Sequence, residues 1–177
     1  LKLIEHSFQS GMLSKNQRLG IITLIPKKDK IRLLLKNWRP ITLLTVDYKL
    51  IAKCLALRLE TILPHFIKDK QFGYVKGRYI GENIRCVTDI NDLCSLKNIS
   101  AFAIQIDFEK AFDSLNWNFM YKTLDSMGFS GDFIKWIRVL YNNTKSAVLN
   151  NGNLTESFFL HRGVHQGCPL SALLFII

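Results

Sequence analysis

The stretch AFAIQIDFEKAFDS (residues 101–114) combines a strand pattern with a candidate metal ligand. Every second residue from Phe102 to Ile106 is apolar, as expected of a half-buried strand. Asp107 ends this predicted strand on the face away from the core, and a tight turn follows. A carboxylate at a strand end is well placed to bind Mg²⁺, with the backbone carbonyl of Phe108 as a candidate second ligand. An Asp that caps the turn is the alternative.

The segment RGVHQGCPLS (residues 162–171) is a second candidate site. Gly163 and Gly167 would let the backbone approach a ligand closely, and Gln166 could hydrogen-bond a base, a sugar or a phosphate. Two histidines and a cysteine in and beside this segment lack a fourth zinc ligand nearby, so the pattern does not favour a zinc site.

Basic residues cluster at the tip of a predicted hairpin. The β-branched run Ile21–Ile25 and the apolar run Ile31–Leu35 flank a turn that contains Lys27, and Arg39 follows. Lysine and arginine on such a tip can bind a triphosphate, and arginine can do so with two parallel hydrogen bonds. The loop segment Lys76–Arg78 adds two more cations. A solvated basic turn is the alternative for each group.

Helical and turn patterns account for most of the remaining chain. Apolar residues recur at helical spacing from Asp47 to Pro64, where proline predicts the end of the helix. The pair Asn151-Gly152 predicts a hairpin between residues 147–150 and 154–160. Four further helices are predicted: Ile84–Leu93, a helix capped by Ser114 and closed by Gly128, Phe133–Leu140, and a last helix that begins near Cys168.

The charge of the chain is unevenly distributed. There are 24 Lys and Arg against 14 Asp and Glu, a net charge of +10. Residues 1–85 carry 17 basic and 6 acidic side chains, whereas residues 86–177 carry 7 and 8. The first part therefore predicts a surface that binds a polyanion, with a solvated basic face as the alternative.

Composition and the chain ends narrow the class of protein further. Four scattered cysteines without a CxxC pair favour reduced thiols in an intracellular compartment, and charged residues interrupt every apolar run, which argues against a membrane span. The first residue is not Met and the last five are apolar, which predicts a fragment of a longer protein.

Six stretches, in order along nearly the whole chain, closely resemble the reverse transcriptases of LINE-type non-LTR retrotransposons and, more loosely, those of group II introns. They are IPKK (25–28), NWRPITLL (37–44), DYK (47–49), QFGYVKGR (71–78), IDFEKAFDS (106–114) and RGVHQGCPLS (162–171).

The resemblance implies an α+β fold, that of a right-hand polymerase. Residues 1–100 would form the fingers subdomain and residues 101–177 part of the palm, a small antiparallel sheet backed by helices. In this family the palm continues with a hairpin that carries an aromatic-x-Asp-Asp motif. The 177 residues contain no Asp-Asp pair, so the chain is expected to be truncated before that hairpin.

The resemblance also implies roles for single residues at the reacting centre. Asp107 matches the first metal-binding aspartate, and Phe108 matches the neighbour whose carbonyl also meets metal. Phe112 matches the aromatic residue that stacks under the incoming sugar and rejects a 2′-hydroxyl. Gln166 matches the glutamine that contacts the incoming nucleotide.

Basic residues match the parts of the family that hold phosphates. Arg39 corresponds to the fingers arginine on the triphosphate, and Lys27 is expected to serve nearby. Lys76 and Arg78 belong to a loop that contacts nucleic acid. The implied partners are an RNA template, a DNA primer and deoxynucleoside triphosphates, in a ribonucleoprotein of the nucleus and cytoplasm.

The implied reaction is nucleotidyl transfer to a primer 3′-hydroxyl with two Mg²⁺ ions about 4 Å apart, for which Mn²⁺ can substitute. At least two carboxylates must converge on such ions. The chain is therefore expected to be inactive alone. A non-catalytic RNA-binding protein, similar to a maturase or derived from a decayed element, is the alternative.

Overall fold

The computed structural model describes residues 2–177 and has a mixed α+β fold, which confirms the predicted class. The helices are α1 (Lys2–Ser10), α2 (Val46–Phe66), α3 (Gly81–Leu96), α4 (Ala111–Ser114), α5 (Trp117–Ser126), α6 (Gly131–Tyr141) and α7 (Ser171–Phe175). The strands are β1 (Leu19–Pro26), β2 (Trp38–Leu43), β3 (Lys145–Asn150), β4 (Asn153–Leu154) and β5 (Phe158–Phe159). None of the helices in residues 2–177 is long and apolar enough to cross a membrane.

One sheet joins the two halves of the chain. Its strands lie in the order β2-β1-β3-β4, and β5 also pairs with β3. β1 and β2 are antiparallel, whereas β1 and β3 are parallel, with Leu19 opposite Lys145. Within residues 101–177 the pairs β3–β4 and β3–β5 are antiparallel, as expected. The sheet as a whole is mixed, because β3 also pairs in parallel with β1 of residues 1–100. The β1–β3 pair joins segments more than a hundred residues apart, and no local pattern reveals such a pairing.

The first hairpin is present, but its second strand is not the predicted one. The run Ile31–Leu35 lies in the connecting loop and is exposed, and β2 pairs with β1 instead. Two side chains fold this run into turns. Asn37 Nδ2 donates to the carbonyl of Ile31 at 2.8 Å, and Trp38 Nε1 donates to the carbonyl of Arg32 at 2.7 Å. These bonds take up carbonyls that a strand would offer to its neighbour.

The second hairpin confirms the prediction from Asn151-Gly152. Both residues have positive φ, 50° and 78°, as the tightest hairpin turns require. The returning chain is divided into two short strands: β4 pairs with the end of β3, and β5 pairs with its beginning.

Helix α2 is longer than predicted at both ends. Thr45 caps it by accepting a hydrogen bond from the backbone N–H of Tyr48. Pro64 lies inside the last turn and does not end the helix, contrary to the prediction. A proline near a C-terminus removes a single N–H donor. The following turn still closes, because the N–H of Ile67 donates to the carbonyl of Leu63 at 2.9 Å.

The cap of α5 also differs from the prediction. Ser114 ends the one-turn helix α4 and its hydroxyl donates to the carbonyl of Ala111. The cap is Asn116, whose side chain accepts from the N–H of Phe119 at 3.1 Å. Gly128 follows α5 with a φ of 80°, which confirms the predicted C-terminal glycine.

The core lies where α2, α5, α6 and α7 meet. The predicted helices α2 and α6 each bury one face, and α7 begins three residues after the predicted start. The most deeply buried apolar side chains of these four helices are Ala52, Ala56, Leu59, Leu124, Ile137, Val139 and Leu140.

The segment 101–107 forms no strand, which corrects the prediction from its alternating pattern. Phe102 and Ile106 are 95% and 79% exposed. A strand needs a hydrogen-bonded neighbour, and no strand of the described residues lies beside this segment. Helix α3 is confirmed, but its predicted apolar face, which includes Ile84 and Leu93, is exposed as well.

Candidate functional site

The turn of residues 163–167 is held between α4 and β2. On one side, the N–H groups of Gly163 and Val164 donate to carbonyls of Leu115 and Phe112, both at 2.7 Å. On the other, the N–H of Thr42 in β2 donates to the carbonyl of Gln166 at 2.7 Å. The turn is therefore fixed from both sides, which holds the side chain of residue 166 in a defined place.

The two glycines of this turn approach the protein's own backbone. Gly163 and Gly167 have φ values of 86° and 109°. A Cβ at Gly163 would lie 2.9 Å from the carbonyl oxygen of Asp113, and one at Gly167 would lie 2.9 Å from that of Thr42. The sequence suggested close approach to a ligand, whereas the structure shows that the glycines allow the turn to pack.

Phe112 and Gln166, two predicted nucleotide-binding residues, lie at one cavity. They line a space of about 250 Å³ together with Tyr74 and residues of the 165–172 segment. Gln166 Nε2 donates to a carboxylate oxygen of Asp113 at 3.3 Å. The ring of Phe112 packs against Phe175, with 5.2 Å between the ring centroids.

Tyr74 is a lining residue that sequence reasoning missed. It comes from the loop between α2 and α3, has a φ of 62° and is 63% exposed. Its position in the glycine-containing stretch QFGYVKGR was the available signal. A phenol at the wall of the cavity can both stack on a ligand and hydrogen-bond it.

Arg78 holds this loop in place. Its guanidinium donates to the carbonyls of Ile67, Lys68 and Gln71, and it lies 3.7 Å from Asp69. These carbonyls directly follow α2, so Arg78 ties the loop to the C-terminal end of that helix. Several of the N–H donors of Arg78 are therefore used within the protein. Lys76, the other residue of this loop predicted to bind nucleic acid, is exposed.

The other two predicted phosphate-binding residues lie on the first hairpin. Lys27 follows β1, and its Nζ donates to the carbonyl of Lys36 at 2.9 Å. Arg39 lies in β2 opposite Ile25 and is exposed. Within residues 2–177 no salt bridge neutralises either cation.

Asp107 and Phe108 lie in the exposed segment that precedes α4. A carboxylate and a backbone carbonyl are oxygen donors of the kind that Mg²⁺ and Mn²⁺ prefer, so the donor chemistry fits. No group of three histidine, cysteine or acidic side chains placed to bind a metal occurs among the described residues. The two residues alone therefore offer only part of the donor set that such a cation needs.

His165 is buried directly beneath the cavity. It is 4% exposed, and burial lowers its pKa from 6.5 to about 4. The ring of Tyr48 meets it edge-on at 5.9 Å between centroids, and Tyr141 stacks on it at 6.2 Å. Burial raises the pKa of both tyrosines and of the Cys168 thiol. These groups are therefore uncharged near neutral pH and support the turn as a packed layer.

Comparison with known proteins gives consistent matches over nearly the whole chain. Residues 25–177 match the family described as reverse transcriptase (RNA-dependent DNA polymerase). The uncharacterized 149 kDa protein of transposon TX1 from Xenopus laevis is 34% identical over 98% of this chain and 13% of its own length.

Two further relatives are retrovirus-related Pol polyproteins. That of the type-2 retrotransposable element R2DM from Drosophila melanogaster is 28% identical over 99% of this chain and 16% of its own length. That of the type-1 element R2 from Popillia japonica is 27% identical over 86% of this chain and 21% of its own length. The chain thus spans between an eighth and about a fifth of the length of these relatives.

Proposed function

The chain belongs to the reverse transcriptase (RNA-dependent DNA polymerase) family, and on that basis we propose that it forms part of an RNA-directed DNA polymerase of a non-LTR retrotransposon. Its substrates are an RNA template, a DNA primer and deoxynucleoside triphosphates. The names of the R2DM and R2 relatives support a retrotransposon origin. One observation carries the proposal: Phe112 and Gln166 line the same cavity.

In this proposal the cavity receives the incoming nucleotide. Gln166 hydrogen-bonds it, and the bond from Gln166 to Asp113 orients the amide before the nucleotide arrives. The ring of Phe112, supported by Phe175, packs beneath the sugar and leaves no room for a 2′-hydroxyl. Tyr74 lines the same cavity.

The triphosphate and the nucleic acid are assigned to the basic residues. Arg39 and Lys27 hold phosphate oxygens from the first hairpin. Lys76 contacts the nucleic acid directly, whereas Arg78 combines such contact with its bonds inside the loop. The basic excess of residues 1–85 supports this assignment, because phosphate contacts supply most of the affinity for nucleic acids.

Asp107 and the carbonyl of Phe108 are assigned as ligands of the catalytic cation, Mg²⁺ or Mn²⁺. When bound, such cations activate the primer 3′-hydroxyl and stabilise the charge on the leaving pyrophosphate. A centre with two such cations needs at least two converging carboxylates, and the sequence has no Asp-Asp pair. We therefore expect the 177-residue chain to lack polymerase activity by itself.

We assign residues 1–100 to the fingers subdomain and residues 101–177 to part of the palm. The boundary falls between α3 and the exposed segment before α4. Strands β1 and β2 of the first part nevertheless share a sheet with β3 of the second. A ribonucleoprotein in the nucleus and cytoplasm is the proposed cellular form.

A primer-extension assay tests the proposed function. It uses the longest open reading frame that contains these residues, and beside it the 177-residue chain, with an RNA template, a labelled DNA primer, deoxynucleotides and Mg²⁺. We expect extension by the longer protein and its loss in Asp107→Asn, because the cation loses its carboxylate ligand. Asp132→Asn, in the first turn of α6, is the matched control and should keep full activity.

The outcomes separate the candidate functions. Extension that survives Asp107→Asn would remove that residue from the metal site, and extension by the 177 residues alone would show that they are catalytically complete. If neither protein extends a primer but both bind RNA, the non-catalytic RNA-binding function becomes the better account. The basic excess of residues 1–85 favours that second candidate.

A further inference from the structure

The loop segment 27–36, between β1 and β2, exposes four neighbouring aliphatic side chains. Leu33 is 93% exposed and Leu35 is 81% exposed, and Ile31 and Leu34 are 66% and 45% exposed. We call residues 27–36 the leucine loop. A single exposed leucine is normal on a protein surface, whereas several together mark a surface that binds another molecule. These four side chains take no part in the proposed polymerase site.

Hydrogen bonds hold the leucine loop in one conformation. The N–H of Lys27 donates to the carbonyl of Asn37 at 2.8 Å, and the N–H of Asn37 donates to the carbonyl of Leu34 at 2.9 Å. The side chains of Asn37 and Trp38 donate to two further carbonyls of the loop, at 2.8 and 2.7 Å. The exposed leucines are therefore presented by a fixed backbone, which lowers the entropic cost of binding.

Cations precede and follow the leucines along the chain. The leucine loop carries five basic side chains and a single acidic one, Asp29. The basic residues are Lys27, Lys28, Lys30, Arg32 and Lys36. In the part of the chain that the structure describes, none of them forms a salt bridge. Apolar side chains among unneutralised cations suit a partner that carries apolar side chains among carboxylates.

A nucleic acid would use the cations of the leucine loop but not its leucines. Bases stack on aromatic rings, and the segment 27–36 contains none. Phosphates bind the cations and backbone N–H groups of a protein, and aliphatic side chains beside them stay in water. A protein partner removes both kinds of side chain from water. The combination of leucines and cations therefore favours a protein.

The exposure of the leucines favours a flexible partner. Leu33 and Leu35 project into solvent, so the partner must surround them to bury them. A disordered segment can wrap around a projecting surface, and segments in which apolar residues are interspersed among acidic ones are disordered until they bind. The partner that fits is thus an acidic, disordered segment with Leu or Phe among its carboxylates.

We propose that the leucine loop is a docking site for an acidic, disordered segment of a partner protein. Apolar side chains of that segment cover Leu33 and Leu35, and its carboxylates pair with the cations of the loop. The inference does not depend on the proposed polymerase function, because neither leucine lines the cavity of Phe112 and Gln166. It gives the chain a surface that recruits another protein.

Fluorescence anisotropy with synthetic peptides tests this surface. The probe is a fluorescein-labelled peptide of about twenty residues, with Leu or Phe at about every third position among Glu, Asp and Ser. A companion peptide has Ser in place of every Leu and Phe. We expect the unchanged chain to bind the probe more tightly than the companion. Leu33→Ser combined with Leu35→Ser should weaken binding of the probe about tenfold or more and leave binding of the companion unchanged.

A matched control for the leucines comes from α3. Leu96→Ser replaces a leucine that is 86% exposed at the end of that helix. Binding of the probe by this variant should match that of the unchanged chain, because only the leucines of the leucine loop meet the peptide.

The cations of the leucine loop are tested in the same way. Lys28→Gln, Lys30→Gln and Arg32→Gln together should weaken binding of the probe about tenfold and lower its salt dependence, because three charge pairs are lost. The control variant removes the same charge at exposed lysines elsewhere in the chain: Lys70→Gln, Lys97→Gln and Lys122→Gln. Its effect on binding should be smaller.

Equal binding of the probe by the leucine variant and by Leu96→Ser would overturn the proposal, as would a lack of binding by the unchanged chain. Two further probes test other occupants of the loop: vesicles of phosphatidylserine and phosphatidylcholine, and a single-stranded oligonucleotide. If binding of either one depends on Leu33 and Leu35 more strongly than binding of the peptide does, the proposal is overturned in favour of a membrane or a nucleic acid.

Discussion

Gln166 owes its position to its immediate neighbours. Its own carbonyl accepts from β2, the glycines on either side pack against backbone, and His165 is buried beneath it. Sequence pattern alone could identify Gln166 and Phe112 as candidates, because their motifs are local. It could not show that the glycines meet Asp113 and Thr42, or that Tyr74 joins the site, since these contacts depend on tertiary packing.

At this scale we predict a pH dependence of stability from His165. Its folded pKa is about 4 against 6.5 for the free group, so the neutral form is favoured by the fold. The stabilisation is present above pH 6.5 and is lost as the pH falls toward 4, because the unfolded chain then binds a proton that the folded chain excludes. The loss should reach about 3 kcal/mol.

Urea unfolding across this pH range measures the effect. Since carboxylates also titrate there, the informative quantity is the difference between the unchanged chain and His165→Asn, which should shrink as the pH falls. His65→Asn, at an exposed position of α2, is the control and should follow the unchanged chain. A constant difference for His165→Asn would contradict the prediction.

Helices and strands differ in how much of them the sequence reveals. The apolar periodicity of α2, α3 and α6 lies within each segment, so their presence could be predicted. Their ends depend on single hydrogen bonds, which explains the errors at Pro64 and Ser114. A strand depends on a neighbouring strand from elsewhere in the chain. The alternation in residues 101–107 predicted a strand, but no described strand lies beside this segment.

At the scale of the element, the cap of α5 gives a sharp prediction. Asn116→Ala should destabilise the chain by about 1 kcal/mol, because the N–H of Phe119 loses its side-chain acceptor. Ser114→Ala is the natural control: its hydroxyl bonds only to the carbonyl of Ala111, so the change should be within about 0.5 kcal/mol. Thermal unfolding followed by circular dichroism compares them. A larger loss of stability in Ser114→Ala than in Asn116→Ala would make Ser114 the cap, as its sequence position first indicated.

The whole molecule is unevenly packed. One side has the core of α2, α5, α6 and α7 and the five-stranded sheet, whereas α3 and the segment 101–107 leave their apolar side chains exposed. The basic residues are also spread unevenly, since most belong to residues 1–85 but Lys145 joins them from the second half. The basic excess of residues 1–85 could be counted from the sequence, but the position of Lys145 beside Lys15 and Arg18 could not, because it depends on the fold.

We predict that amide hydrogen exchange will follow this division. Residues 101–107 should exchange within the shortest labelling time, because their N–H groups have no partner in the sheet. Strand β1, which is bonded to β2 and β3 on its two sides, should exchange slowest. Exchange measured by mass spectrometry of peptic peptides compares the two. Protection of 101–107 equal to that of β1 would mean that this segment forms a strand in solution.

The parallel pairing of β1 with β3 also sets an order of events during synthesis. β1 and β2 can form their hairpin as soon as both have left the ribosome, but β3 is translated about a hundred residues later. At about 5 to 20 residues per second, one edge of β1 stays open for several seconds or more. An open edge can pair with another nascent chain. Slow translation between residues 43 and 145 should therefore lower the yield of folded protein, and a chaperone that covers the edge should restore it.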